Sequence, residues 1–176
     1  MAPHSPSNPN GRALGAVSRL DIVKLRRASI QLALTKKGNF RFGDSQFDIR
    51  EELQHFSKNG YPSLHFADAI CICGNTTFQL SLDDNEGVAV RICTICNAEH
   101  PIGDSAEFLE DAELEECECP CGANEFEVTA GVAPTKHGED VKWLYIGCRC
   151  VRCGLTACYG DWKNEFGAVD DFLKLI

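Results

Sequence analysis

The feature that most limits what this sequence can fold into is a spacing of cysteines that occurs twice. Cys71-Ile72-Cys73-Gly74 is followed three residues later by Phe78, and then by Cys93-Thr94-Ile95-Cys96. Cys119-Pro120-Cys121-Gly122 is followed three residues later by Phe126, and then by Cys150-Val151-Arg152-Cys153. One constant offset carries Cys71, Cys73, Gly74 and Phe78 onto Cys119, Cys121, Gly122 and Phe126. A second, nine residues larger, carries Cys93, Cys96, Gly103 and Asp104 onto Cys150, Cys153, Gly160 and Asp161. The second copy therefore has the longer loop between its cysteine pairs.

Two copies of a four-cysteine set point to two bound metal ions. A structural zinc ion takes four ligands such as thiolates in a closed tetrahedron. Cys71, Cys73, Cys93 and Cys96 supply one set, and Cys119, Cys121, Cys150 and Cys153 supply the other. A glycine after the first pair suits a knuckle, where the backbone turns tightly around the ion and points N–H groups at sulfur. Iron is the competing metal, because a tetrahedron of four sulfurs suits both. Eleven cysteines in a secreted chain would suggest disulfides instead. The odd count, the chelating spacings and the lack of a leader with an apolar centre favour thiolates in a reducing cytoplasm.

Charge is unevenly placed. Residues 1–60 carry a net +5 and residues 61–176 a net −14. The cysteine-rich part is thus acidic before any thiolate is counted. Such a surface repels phosphate backbones, which disfavours nucleic acid as its partner and favours a protein with a basic surface. The basic segment Arg12 to Arg41 remains a candidate nucleic-acid contact. No apolar run approaches the length of a membrane span.

Alternation and turn signals give the expected elements. Residues 1–11, rich in Pro, Ser and Asn, read as a disordered tail, and residues 12–66 as a basic N-terminal region. An Arg-rich, acid-poor start also fits an organelle transit peptide, against which a flexible tail is the plainer reading. Ile30, Leu32 and Leu34 alternate, as do Phe40 and Phe42 beyond Lys36-Lys37-Gly38-Asn39, predicting a hairpin with a helix over 19–34 as its competitor. A helix is predicted near 48–59, with Asp48 and Glu51 as a capping box, Ile49, Leu53 and Phe56 on one face, and Gly60 as the stop. Phe78, Leu80 and Leu82 alternate up to the turn at Asp83–Gly87, and Val88 to Ile92 returns. Phe126, Val128 and Ala130 do the same, with Val141 to Ile146 returning. Asp104 with Glu107 predicts a capped helix through Leu114, and Asp161 a capped segment around Trp162 and Phe166. The fold class expected is a small, metal-stabilised α+β protein, with one unit over 67–116, a second over 117–176, and a helix after each.

Cys117, Cys148 and Cys158 have no counterparts in the first copy. They read as buried ordinary thiols, with alternative ligands or a redox pair as the competing roles. Cys117, for instance, could replace Cys119 beside Cys121. His100 follows Cys96 by four residues and is a candidate ligand, but its equivalent is Ala157. The aromatics Trp143, Tyr145, Tyr159, Trp162 and Phe166 read as a shared core between the two units. No nucleophile elbow, P-loop, dinucleotide fingerprint or HExxH occurs in the sequence, so no constellation supports an enzyme.

The segments Cys71–Cys96 and Cys119–Cys153 resemble tandem zinc ribbons of the broad rubredoxin-like class, and the chain is similar to uncharacterised bacterial proteins that carry CxCG…CxxC units. The resemblance covers about a third of the chain. It implies two β-hairpins, each clamping one ion, and assigns no activity, since that class includes factors, enzyme subunits and adaptors. A non-enzymatic protein-interaction module is the function expected. A nucleic-acid-associated factor and metal or thiol redox handling are the alternatives.

Overall fold

The computed structural model describes residues 34–164 and 166–176. Its elements begin with a short hairpin, β1 (Thr35–Lys37) and β2 (Phe40–Phe42), whose two-residue turn uses the positive φ of Gly38, 64°. Helix α1 (Asp48–Ser57) follows, then β3 (His65–Asp68), β4 (Thr77–Asp83), β5 (Val88–Cys93) and β6 (Glu99–Pro101). The two-residue β7 (Glu115–Glu116) leads to three long strands, β8 (Phe126–Pro134), β9 (Val141–Cys150) and β10 (Leu155–Lys163), and the chain closes on α2 (Val169–Phe172).

The α+β expectation is overturned, because these ten strands form one antiparallel sheet and α1 and α2 are both short. The sheet runs β1-β2-β10-β9-β8-β4-β5-β6, with β3 also on β8 and β7 also on β4. The helix expected from Asp104 to Leu114 is reduced to one 3-10 turn at Ser105–Glu107. Asp104 does not cap it: its carboxylate accepts the Asn164 amide at 2.8 and 2.9 Å. The acidic run beyond is drawn out as β7, where Glu116 and Leu82's partner Glu115 pair with the open edge of β4. The segment expected to be capped by Asp161 is instead the end of β10. A hairpin is present, but its first strand is Thr35–Lys37, which runs into the stretch expected to be the turn, and Ile30 and Leu32 of the expected strand lie outside the described residues. The tail at 1–11 and the competing helix, apart from Leu34, fall outside the described residues.

Each repeat is a three-stranded meander rather than a two-stranded hairpin. In the first, Phe78 pairs with Cys93 and Val90 with Pro101. Their equivalents, Phe126 with Cys150 and Gly147 with Cys158, pair in the same register in the second. The repeats join directly: β4 and β8 are antiparallel neighbours, with Phe78 opposite Phe126 and Thr77 opposite Glu127. Pairing equivalent residues in this way is what a local two-fold axis between them would produce.

Phe78, Phe126, Leu80, Val128, Ile146 and Phe172 belong to the main core, on which both repeats converge. Helix α1 forms a second, smaller core on β8 and β9. Ile49 and Leu53 are fully buried there because Gly131 and Gly147 leave the strands bare. A Cβ on Gly147 would stand 2.3 Å from Ile49 Cγ2. The expected Asp48–Glu51 capping box is not formed. The N-cap is Phe47, and buried Asp48 instead accepts the N–H groups of Asp44 (2.7 Å) and Ser45 (2.9 Å), folding the preceding loop back on the helix. Trp143 and Tyr145 pack on this side rather than between the repeats. Trp143 stacks on Tyr61 at 5.0 Å, and the Tyr145 hydroxyl donates to the Tyr61 carbonyl at 2.7 Å.

Candidate metal centres

The two knuckle pairs of each repeat meet at one end of its meander. Before β4, the Gly74 N–H donates to the Cys71 carbonyl and the Cys71 N–H to the Asn75 carbonyl, both at 2.8 Å. The second copy repeats this turn, with Gly122 donating to Cys119 at 2.7 Å and Cys119 to Ala123 at 2.8 Å. Gly74 and Gly122 take positive φ, 87° and 75°, which the reversal requires. After β5 and β9 the opposing knuckles close in the same manner, Asn97 N–H donating to Cys93 at 3.0 Å and Gly154 N–H to Cys150 at 2.8 Å.

This geometry brings Cys71, Cys73, Cys93 and Cys96 together, and separately Cys119, Cys121, Cys150 and Cys153, with the sulfurs of each group within 4.8 Å of one another. Cys71 and Cys96 stand 3.4 Å apart, Cys73 and Cys93 3.6 Å, Cys119 and Cys153 3.6 Å, and Cys121 and Cys150 3.7 Å. A tetrahedron with metal–sulfur bonds of about 2.3 Å has edges of about 3.8 Å, so each group can hold a metal ion with little movement. One cysteine of each pair is buried and the other exposed, in the same order in both groups.

The surroundings differ between the two. In the first, the Asn75 side chain donates to Cys93 Sγ at 3.3 Å and to the Thr77 carbonyl at 2.6 Å. Burial pushes the Cys93 thiol up, but the N–H groups of Cys96 and Ile95 with the Asn75 amide outweigh it, bringing it to about 6. In the second, the desolvation of exposed Cys121 by its surroundings is outweighed by the Arg152 guanidinium and the neighbouring sulfurs, bringing it again to about 6. Each group thus holds one thiol that ionises near neutrality, the form that takes up metal. Burial pushes Cys119 up to about 12 despite a backbone N–H from Cys121. Arg91 lies beneath the first group, 4% exposed, with its guanidinium 4.6 Å from the Phe78 ring centre. Burial lowers its pKa and the charges of Cys71 and Cys93 raise it.

Cys117, Cys148 and Cys158 join neither group. Burial pushes Cys117 up to about 11, Cys158 to about 12 and Cys148 well above its ordinary value, which keeps all three protonated and poorly nucleophilic at neutral pH. His100 stands on β6 opposite Arg91, outside the sulfur group. Sequence reasoning missed Asn75, Arg91 and Arg152. Their equivalents are Ala123, Cys148 and Ile95, so comparing the two copies gave no signal for them.

The fold and the two sulfur groups define a protein built from two repeated, four-cysteine metal-binding units. Protein-family models, curated proteins and solved structures give no match to the chain.

Proposed function

We propose that the chain is a tandem zinc-ribbon protein of a reducing compartment such as the cytoplasm, whose two zinc ions are structural and whose work is to bind a basic protein partner. The eight cysteines at 71, 73, 93, 96, 119, 121, 150 and 153 are the ligands. Four thiolates complete the tetrahedron of each ion, which suits a structural role and supplies the binding energy that a small ribbon's own core lacks.

The observation that carries the interaction reading is a pair of adjoining clefts of about 650 and 490 Å³. Asp84 and Asn85 line both. Glu86, Asp104 and Glu107 border the first, with Lys163 as a basic member, and Glu113, Glu115 and Glu116 border the second. Glu107, Glu113, Glu115 and Glu116 of the acidic stretch that follows Asp104 therefore line these clefts, where they focus negative potential and steer a basic partner. An acidic surface of this kind disfavours nucleic acid, and in the basic segment Arg12 to Arg41 the Arg41 side chain is paired with Glu52 at 3.3 Å.

Zero-length carbodiimide cross-linking in native lysate tests this, since it joins carboxylates to lysines in contact. The reading expects a stable partner joined through Glu113, Glu115 or Glu116 and lost in the E115K/E116K variant. A lysate with no stable partner on these carboxylates would count against it. Native mass spectrometry of gently purified protein tests the metal: two zinc ions are expected, and two iron ions would reassign both sites.

A further inference from the structure

The two metal knuckles are built alike, yet their outer side chains differ in kind. Around the first group stand Ile72, 99% exposed, Ile95, 72%, and Ile70, 58%. The repeat places Pro120, Arg152 and Glu118 at the same three positions around the second. Both knuckles make the same backbone hydrogen bonds at nearly the same lengths, so the turn and the sulfur geometry do not require isoleucine. The second copy acts as an internal control: it holds its four sulfurs with Pro120, Arg152 and Glu118 at these positions and one exposed aliphatic side chain, Val151, whereas the first leaves three isoleucines in water beside a single sulfur group. Single exposed apolar residues are ordinary, but here three each adjoin a cysteine of one sulfur group.

Charge selects the occupant. Residues 69–79 and 92–98, which make the first tip, contain no charged side chain. The chain as a whole is acidic, net −9, with −14 over residues 61–176 that contain this tip. At the second tip Arg152 lies against Cys121, whereas at the first the neighbouring arginine, Arg91, is buried. A second copy of the chain would bring two acidic bodies together, which like-charge repulsion opposes. The geometry points to a docking surface made by Ile70, Ile72 and Ile95 for another protein that offers an aliphatic pocket edged by lysine or arginine. Apolar contact at the centre and opposite charge at the rim is the usual anatomy of such an interface. The acidic clefts include the β4–β5 turn at residues 84–87. The isoleucines lie at the opposite, knuckle end of that hairpin, so this surface stands independently of the clefts.

The test places p-benzoylphenylalanine at position 72, and separately at the matched tip at position 151, in the full chain expressed in its source cells. Irradiation is expected to join a partner at 72 and not at 151. That partner, purified, should bind the I72S/I95S variant at least tenfold more weakly than wild type and bind V151S unchanged, while native mass spectrometry shows the same metal content in all three. It should also bring an aliphatic pocket bordered by basic residues to the cross-linked site. Equal affinities for wild type and I72S/I95S would overturn the proposal, as would cross-linking chiefly to a second copy of the chain, or no cross-link at 72. A partner found only on the carboxylates of the clefts would overturn this surface and leave the proposed function standing.

Discussion

Phe78 and Phe126 occupy the same place in the two repeats and face each other across β4 and β8. Both are fully buried, and each is also the register partner of a cysteine in its own sulfur group, Cys93 or Cys150. The seam that joins the repeats is therefore one strand away from both candidate metal centres.

Truncating either phenylalanine should weaken the whole molecule. Phe78→Ala and Phe126→Ala are each expected to lower stability by about 3–5 kcal/mol, the usual range for a buried phenylalanine. Opposed residues on neighbouring strands are coupled, so the double variant should depart from additivity by about 0.5–3 kcal/mol. Urea denaturation at fixed zinc concentration measures both. Strict additivity would mean the repeats are energetically separate.

Loss of one centre should be felt at the other. Cys93→Ser is expected to reduce the metal content from two ions to one, by native mass spectrometry. The ion remaining in the second group should then leave to a chelator faster than from wild type, because metal binding and folding of the shared sheet are linked. Cys150→Ser should act reciprocally on the first group. Unchanged release in both variants would contradict the coupling.

Tyr145 and Tyr159 should titrate late. Burial, with a lesser contribution from the Asp161 charge, pushes Tyr145 up to about 12, and burial pushes Tyr159 higher still. A raised folded-state value favours the neutral phenol. That stabilisation is complete below the unfolded value of about 10 and is lost as the pH rises through about 12. Stability should therefore fall between these values, and absorbance at 295 nm should show Tyr145 ionising with that loss. Tyr145→Phe should remove the step near 12 and loosen the backbone at Tyr61, whose carbonyl the hydroxyl now engages.

Gly103 has a positive φ of 64°, and a Cβ there would stand 2.3 Å from Phe172 Cζ. Gly103→Ala is expected to lower stability by about 1–3 kcal/mol through overpacking and backbone strain. Thermal denaturation of Gly103→Ala in a Phe172→Ala background separates the two causes. The clash disappears there, so a smaller loss than in wild type isolates the ring contact.

The parts that were legible in the sequence are those fixed by local pattern. Alternation at Phe78, Leu80 and Leu82 announced β4, and the equivalent run announced β8. Duplicated spacing brought out the two sulfur groups before any geometry was known. What could not be read depended on distant partners. Short β6 contains Pro101, which argues against a strand by propensity and is tolerated at this sheet edge. Glu115 and Glu116 favour helix in isolation and become β7 because β4 offers an open edge. Asp104 and Asp161 look like helix caps, but their acceptor oxygens are taken by Asn164 and by Trp143 Nε1, the latter at 2.9 Å. An α+β fold followed from treating these local signals as sufficient.

Strand β2 has consequences for how the molecule is made. Apart from its own hairpin partner it pairs with β10, Phe42 meeting Leu155, and the Gly43 N–H reaches Gly154 and Thr156 at a sequence separation above a hundred residues. A chain emerging from the ribosome, amino end first, must hold β1, β2 and the apolar face of α1 without their partners until β10 has followed. A lone hairpin is marginal in water, whereas the first meander is complete once Pro101 has emerged and its four sulfurs can already close on an ion. The first sulfur group can therefore close on an ion before β10 exists, and β1, β2 and α1 dock only after it.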